Sequence, residues 1–339
     1  MRSGYRRTVG SAALALVTVA CSGAPPPSAQ RTVPPTPGPR VTASAAAAPG
    51  VDPATVHADE LGSVPVLMYH QLLAHPRSDY DQTPAQFRAE VELLYRSGYR
   101  TVTAADLVAG RIGVPAGRSP MVLTFDDSTA SQYRERADGS VDPASAVGIL
   151  LAVGHRYGED RPVASFYVNA APFAGKDAYL TRLSALGMEV GDHTATHANL
   201  RQLDDNGVQR ELVQGLTVIR GPLPTVPVTT MALPYGALPH HTALDHRGSW
   251  KGLRYDFHGV LLVGSNPALS PFRRGFDPLA VPRIRSGNHA GDQTFTATYW
   301  LPRLRTSRYV SDGNPDTVSF PRGELGRLDP LYASRARPY

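Results

Sequence analysis

Three short stretches of the 339-residue sequence combine side chains that can bind a cation and move a proton. The first is Thr124-Phe125-Asp126-Asp127. Two adjacent carboxylates at the end of an apolar run point in different directions, so one can hold a metal while the other faces a water molecule. An Asp pair by itself more often caps a following helix or forms a solvated turn. The second stretch is His193-Thr194-Ala195-Thr196-His197. In a helical turn, imidazoles at i and i+4 share a face and can grip one cation; isolated pairs of this kind are as often surface or core histidines. The third is Ala232-Leu233-Pro234-Tyr235-Gly236, where proline fixes the backbone and glycine permits a sharp turn close to a ligand. Alone, it reads as an ordinary turn after a strand.

The elements around these stretches decide between the readings. Val64-Pro65-Val66-Leu67-Met68 is a short apolar run that predicts a buried strand ending at Tyr69-His70. Thr83-Pro84-Ala85-Gln86 supplies an N-cap, a first-turn proline and a Gln three residues after the cap, and Phe87, Val91 and Leu94 then fall on one helical face. Further strands are predicted at 99–103, 120–125, 164–168, 188–190, 229–233, 259–263 and 280–284, with helices from 104, over 142–155, 177–186, 205–219 and 295–304. Residues 128–142 are polar and aperiodic and predict an inserted loop that shapes the substrate cleft. Strands alternating with helices predict an α/β fold with a parallel sheet, and about seven such units favour a distorted (β/α) barrel over an open sheet. The chemically distinctive residues follow the C-terminal ends of predicted strands, the face on which β/α barrels carry their active sites.

In this order, and each at a strand end, the three stretches resemble the polysaccharide deacetylase family, whose catalytic unit is the NodB homology domain (carbohydrate esterase family 4). Val64 to His70 and Ala164 to Val168 are similar to further strands of that domain, so the resemblance spans roughly residues 62–310. It implies that Asp127, His193 and His197 bind one divalent metal ion, with zinc expected, and that Asp126 is the general base toward the attacking water. It also implies that the backbone N–H of Tyr235 helps hold the oxyanion. Two departures stand out. The family has an arginine two residues before the motif proline where this chain has Ala232, leaving Arg283 or Arg285 as candidates to replace it in space. The family's later Leu-x-His motif, the source of its general acid, is not recognisable; His289 and His70 follow predicted strands and are the candidates, whereas His258 precedes one. Ser128 also stands where the family commonly has glycine.

The implied activity is removal of N-acetyl groups from an envelope or extracellular polysaccharide, an N-acetylglucosamine polymer or peptidoglycan. Two other readings stay open: a catalytically impaired surface protein that binds carbohydrate on the same fold, and a metal-dependent amidase or esterase acting on a small substrate. Residues 1–21 resemble an export signal, with Arg2, Arg6 and Arg7 ahead of a short apolar run that ends at Ala20-Cys21. That ending suggests a lipoprotein site, with Cys21 anchoring the protein to a membrane at the cell surface; secretion after ordinary signal cleavage is the alternative. Cys21 is the only cysteine, so no intramolecular disulfide can form. Residues 22–61, rich in Pro, Ala, Ser and Thr, are expected to form a disordered tether, and 62–339 the catalytic domain. The net charge of +5 comes from scattered arginines without a clustered basic stripe, which argues against nucleic acid as a partner. No protein partner can be inferred.

Overall fold

A computed structural model of the chain describes residues 51–264, 266–286, 294 and 296–339, all within one compact unit. Cys21 and His289 lie outside the described residues. The central sheet is built from β1 (Val66–Tyr69), β2 (Tyr99–Thr101), β3 (Ser119–Phe125), β4 (Ser165–Val168), β5 (Glu189–Asp192) and β6 (Thr230–Ala232). A polar hairpin follows, β7 (Arg247–Trp250) with β8 (Leu253–Asp256), and then β9 (Gly259–Leu261) and β10 (Ile284–Arg285) return to the sheet. Seven strands run parallel in the order β10-β1-β3-β4-β5-β6-β9, and β2 adds to β3 off this path. The fold is the distorted (β/α) barrel expected from the sequence.

Side-chain alternation along these strands separates two cores, as the two-residue period of a strand requires. Leu67, Leu123, Phe125, Phe166, Val168, Val190, Met231 and Val260 face the helix layer, where they meet Phe87, Leu150 and Leu212. Val66, Val122, Tyr167, Ala232 and Leu261 take the intervening positions and pack in a second cluster with Val281, Tyr309 and Phe320. Burial on both faces explains why the strands read as continuous apolar runs.

The helices are α1 (Pro84–Arg96), α2 (Ala104–Val108), α3 (Ala146–Arg156), the short turn α4 (Pro172–Gly175), α5 (Ala178–Ala185), α6 (Asp205–Arg220) and α7 (Ala297–Leu304). At α1 the predicted capping box forms: Thr83 accepts from the Gln86 N–H, and the Gln86 side chain accepts from the Thr83 N–H. Helix α3 starts later than expected, because Ser145 rather than Asp142 accepts the orphan N–H, that of Gly148.

The last barrel strand also departs from expectation. A strand was predicted over 280–284, but Pro278–Ala280 forms a 3₁₀ turn and only Ile284–Arg285 pairs regularly, with β1. Val281 bridges Leu261 on the other side. The segment Val281–Arg285 thus crosses from β9 to β1 and links the two ends of the sheet path. The packed structure also begins before residue 62, since Ala58, Glu60 and Leu61 are buried. Asp59 bridges Val310, and Glu60 accepts from the Ser319 N–H and the Tyr309 hydroxyl. The final strands, β11 (Val318–Phe320) and β12 (Ala336–Pro338), pair parallel with each other.

Candidate active site

Strand parity brings the site residues to one end of the barrel. Phe125 faces the helices, so Thr124 and Asp126 face inward. Asp192 faces α6, where its carboxylate leaves no room for a side chain at Gly215, and so His193 turns inward beside Asp126. A side chain at Gly191 would strike the Tyr167 ring, so only glycine lets β4 and β5 approach this closely.

Asp126 is 2% exposed and receives a two-pronged ion pair from Arg283, with Nη1 to Oδ1 and Nη2 to Oδ2 both at 2.8 Å. Arg283 is wholly buried; its Nη1 also donates to the Thr124 hydroxyl at 3.2 Å and its Nε to the Leu262 carbonyl at 2.6 Å. Burial alone would raise the Asp126 carboxyl, but Arg283 and then His193 outweigh it and hold the group well below the usual carboxylate range. Of the two arginines that could replace the one missing at Ala232, Arg283 is the one on Asp126. It reaches Asp126 because it sits on the segment that links β9 to β1. Arg285 instead stands with its guanidinium carbon 5.3 Å from the centre of the Tyr80 ring.

Asp127, His193 and His197 bring three ligand atoms within 4.8 Å of one another. His193 Nε2 and His197 Nε2 lie 3.6 and 3.5 Å from Asp127 Oδ1. Ligands held tetrahedrally at 2.0–2.1 Å from zinc stand about 3.3 Å apart, so each imidazole stands near that separation from the Asp127 carboxylate. His193 Nδ1 lies 2.7 Å from the Ala232 carbonyl and donates to it, which turns the lone pair of Nε2 toward Asp127. That buried Nε2 has no protein hydrogen-bond partner. Burial lowers the His193 pKa, against the pull of Asp126 and Asp127, which keeps the imidazole neutral and able to donate a lone pair.

The histidine pair shares its site without a helical turn. Thr194 and His197 adopt positive φ angles of 63° and 55°. The loop is shaped by its surroundings: Asp192 accepts from the Thr194 N–H, and Glu211 of α6 from the Thr196 N–H and hydroxyl. The Asn169 side-chain amide donates to the His193 and Thr194 carbonyls at 2.8 and 3.2 Å. Asn169 directly follows β4, so its place at a strand end was a signal open to a sequence reading that passed over it.

His70 follows β1 at the same end, with Nε2 3.9 Å from Asp126 Oδ2. Burial lowers its pKa, against the attraction of Asp126 and Asp127. His258 lies exposed at the start of β9, away from the site. Tyr235, at φ 59°, is 65% exposed, and its ring centre lies 4.6 Å from that of His197. A side chain at Gly236 would press on Val263, so the turn after β6 passes close to the segment after β9.

These groups surround a cleft of about 370 Å³. Its lining includes Gln71, Ser78, Tyr80 and Asp81 from the segment after β1, together with Leu233, Tyr235 and Val263. The inserted stretch 128–142, expected to shape the cleft, contributes no residue to this lining. Gln132 and Tyr133 are instead buried, and the Gln132 amide donates to the carbonyls of His70 and Asp126, tying the ends of β1 and β3 together.

The parallel barrel thus gathers an ionised carboxylate and an Asp-His-His group at its C-terminal strand ends, the face on which such barrels carry their active sites. The model of the polysaccharide deacetylase family matches residues 113–248 of this chain. That family is generally metal-dependent. The fold is similar to that of a Bacillus cereus polysaccharide deacetylase, at 20% identity and a TM-score of 0.50, covering 72% of this chain and 68% of the other. It is likewise similar to a Bacillus anthracis protein assigned to the polysaccharide deacetylases, at 19% identity and a TM-score of 0.51, covering 73% and 69%. His70 and Arg283 both lie outside the matched residues 113–248.

Proposed function

We propose that this protein is a metal-dependent hydrolase that removes N-acetyl groups from an N-acetylglucosamine-containing polysaccharide of the cell envelope or exterior, peptidoglycan or an exported polymer. The observation that carries this reading is the buried Asp126 carboxylate, kept ionised by Arg283 beside a three-donor cation site. Asp127, His193 and His197 would hold one divalent cation, and two imidazoles with one carboxylate suit zinc. Bound there, the cation lowers the pKa of water and polarises the acetamide carbonyl.

The chain's own residues account for the proton movements. Asp126 accepts the proton of the attacking water, and Arg283 fixes both carboxylate oxygens so that the base is oriented and ionised before attack. The backbone N–H of Tyr235 is assigned to the oxyanion of the tetrahedral intermediate. His70 is assigned to deliver a proton to the leaving amine, on the strength of its place in the cleft lining with Nε2 3.9 Å from Asp126 Oδ2. Water and the acetamide thus become acetic acid and an amine, which part as acetate and an ammonium at neutral pH. The absent arginine at Ala232 and the unassigned general acid were the features that favoured a binding-only protein; the pairing of Arg283 with Asp126 removes the first of these grounds.

Residues 1–21 are assigned as an export signal and Cys21 as a lipid-anchor site, which would hold the catalytic domain at the cell surface. The test is acetate release by zinc-loaded protein from peptidoglycan, from acetylated glucosamine oligomers and from a small acetamide. Chelator-sensitive release from either polymer supports the reading. Release from the small acetamide alone would replace it with a small-molecule amidase.

A further inference from the structure

Among the described Phe, Tyr and Trp side chains, two are exposed, Tyr80 at 36% and Tyr235 at 65%. Both line the same cleft, above a floor formed by Asp126, Asp127 and the two histidines. Tyr235 belongs to the turn after β6. Tyr80 comes from a separate element, the loop between β1 and α1.

That loop is a built structure. Its base is closed by the Leu73 N–H donating to the Gln82 carbonyl at 2.8 Å and the Gln82 N–H donating to the Gln71 carbonyl at 3.0 Å. Gln82 is pinned to α1 through its side-chain amide, 2.8 Å from a Glu90 carboxylate oxygen. Near the tip, buried Asp81 accepts from the Arg77 and Ser78 N–H groups at 2.9 and 3.0 Å. Much of the ordering entropy of the loop is therefore spent before any ligand arrives, which leaves Tyr80 preorganised.

The Tyr80 ring centre lies 4.9 Å from the His70 ring, and the Arg285 guanidinium carbon 5.3 Å from the Tyr80 ring centre. The ring is thus held in place with part of its surface in solvent. A pyranose presents a face of C–H groups and a rim of hydroxyls; a rigid tyrosine covers such a face at low entropic cost while the hydroxyls stay in water. The cleft volume is at the small end of the range for ligand pockets, so the neighbours of a reacting sugar must lie on its rim.

We infer that Tyr80 is a substrate-binding residue that stacks on the sugar next to the one whose acetamide meets Asp127 and the histidines, so that the site is built for at least two linked sugars. This rests on the reading of the cleft as one that takes N-acetylated sugar. The test uses zinc-loaded protein with N-acetylglucosamine oligomers of one to five units, measuring both steady-state acetate release and equilibrium binding by calorimetry. Wild type is compared with Tyr80→Ala, Tyr80→Phe and Tyr80→Trp, and 4-nitrophenyl acetate serves as a substrate without a second sugar.

Loss of one aromatic contact is expected to weaken oligomer binding and raise KM about tenfold in Tyr80→Ala for two units and longer, with kcat nearly unchanged. Tyr80→Phe and Tyr80→Trp should stay near wild type, and the acetate ester should be hydrolysed equally well by all four proteins. Unchanged oligomer binding in Tyr80→Ala overturns the inference. So does an equal loss of kcat on oligomer and ester, which would make Tyr80 only a support for His70, and so does a wild type that binds no oligomer. Wild type that binds oligomers through Tyr80 but releases no acetate upholds the inference while refuting the deacetylase reading.

Discussion

Asp126 and Arg283 lie 157 positions apart and share two buried charge-assisted hydrogen bonds. Removing the guanidinium would strand a carboxylate in the barrel, a change that typically costs about 3–5 kcal/mol. Arg283→Ala is therefore expected to lower thermal stability markedly and to let the Asp126 pKa climb, since burial then acts unopposed. Arg283→Lys should keep more stability but lose most turnover, because an ammonium cannot engage both carboxylate oxygens in one plane. Thermal denaturation and acetate release measured on both variants check this; a lysine variant with full turnover would leave Arg283 no orienting role. The Asp pair, the two histidines and the Pro-Tyr-Gly turn were legible because their types and order are local in sequence. The partner of Asp126 was legible only as one of two arginines after a late strand, because the choice depends on how residues 281–285 cross between β9 and β1.

The histidine loop shows where local patterning stops being informative. Spacing of four allowed a helical turn, but Asp192, Glu211 and Asn169 impose a looped path with two left-handed residues. Asn169→Ala removes the donor that fixes the His193 and Thr194 carbonyls. Loss of such an outer partner typically weakens metal binding about 10–100-fold. Zinc affinity by calorimetry should fall within that range while the far-ultraviolet spectrum stays that of wild type; unaltered affinity would show that α6 alone shapes the loop. The apolar runs of β1, β3 and β4 were readable because both faces of these strands are buried. The β7–β8 hairpin was not, since it lies half-exposed with polar residues at most positions and carries no apolar period. The shaping of the cleft was misassigned for a related reason: in 128–142 the buried residues Gln132 and Tyr133 are spaced by tertiary contacts and follow no repeat.

Across the whole molecule, the segment that precedes residue 62 is fastened to the C-terminal one. Glu60 accepts from the Tyr309 and Ser311 hydroxyls and from the Ser319 N–H, beside Asp312. Burial, then the Asp312 charge, raises its pKa from 4.5 to about 7. A carboxyl with a raised folded-state pKa binds its proton more tightly in the folded chain. Its contribution is thus fully present below pH 4.5 and is lost as pH rises through about 7. The full shift corresponds to about 3 kcal/mol. Relative to Glu60→Gln, wild type should lose stability between pH 5 and 8 by up to about that amount; parallel stability profiles for the two proteins would refute the assignment. The tether reading of 22–61 ended too late because Ala58, Glu60 and Leu61 are held by partners roughly 250 residues away, which local composition cannot reveal. At this scale, the central claim is that one cation site and one ionised aspartate form a deacetylating centre. Its most direct test is acetate release from an N-acetylglucosamine pentamer by protein loaded with one zinc per chain, compared with Asp126→Asn loaded equally. The account predicts release by wild type, abolished by chelator, and a fall of at least about a hundredfold in the variant, the scale of general-base catalysis. Equal release by the two proteins, at equal zinc content, would contradict it.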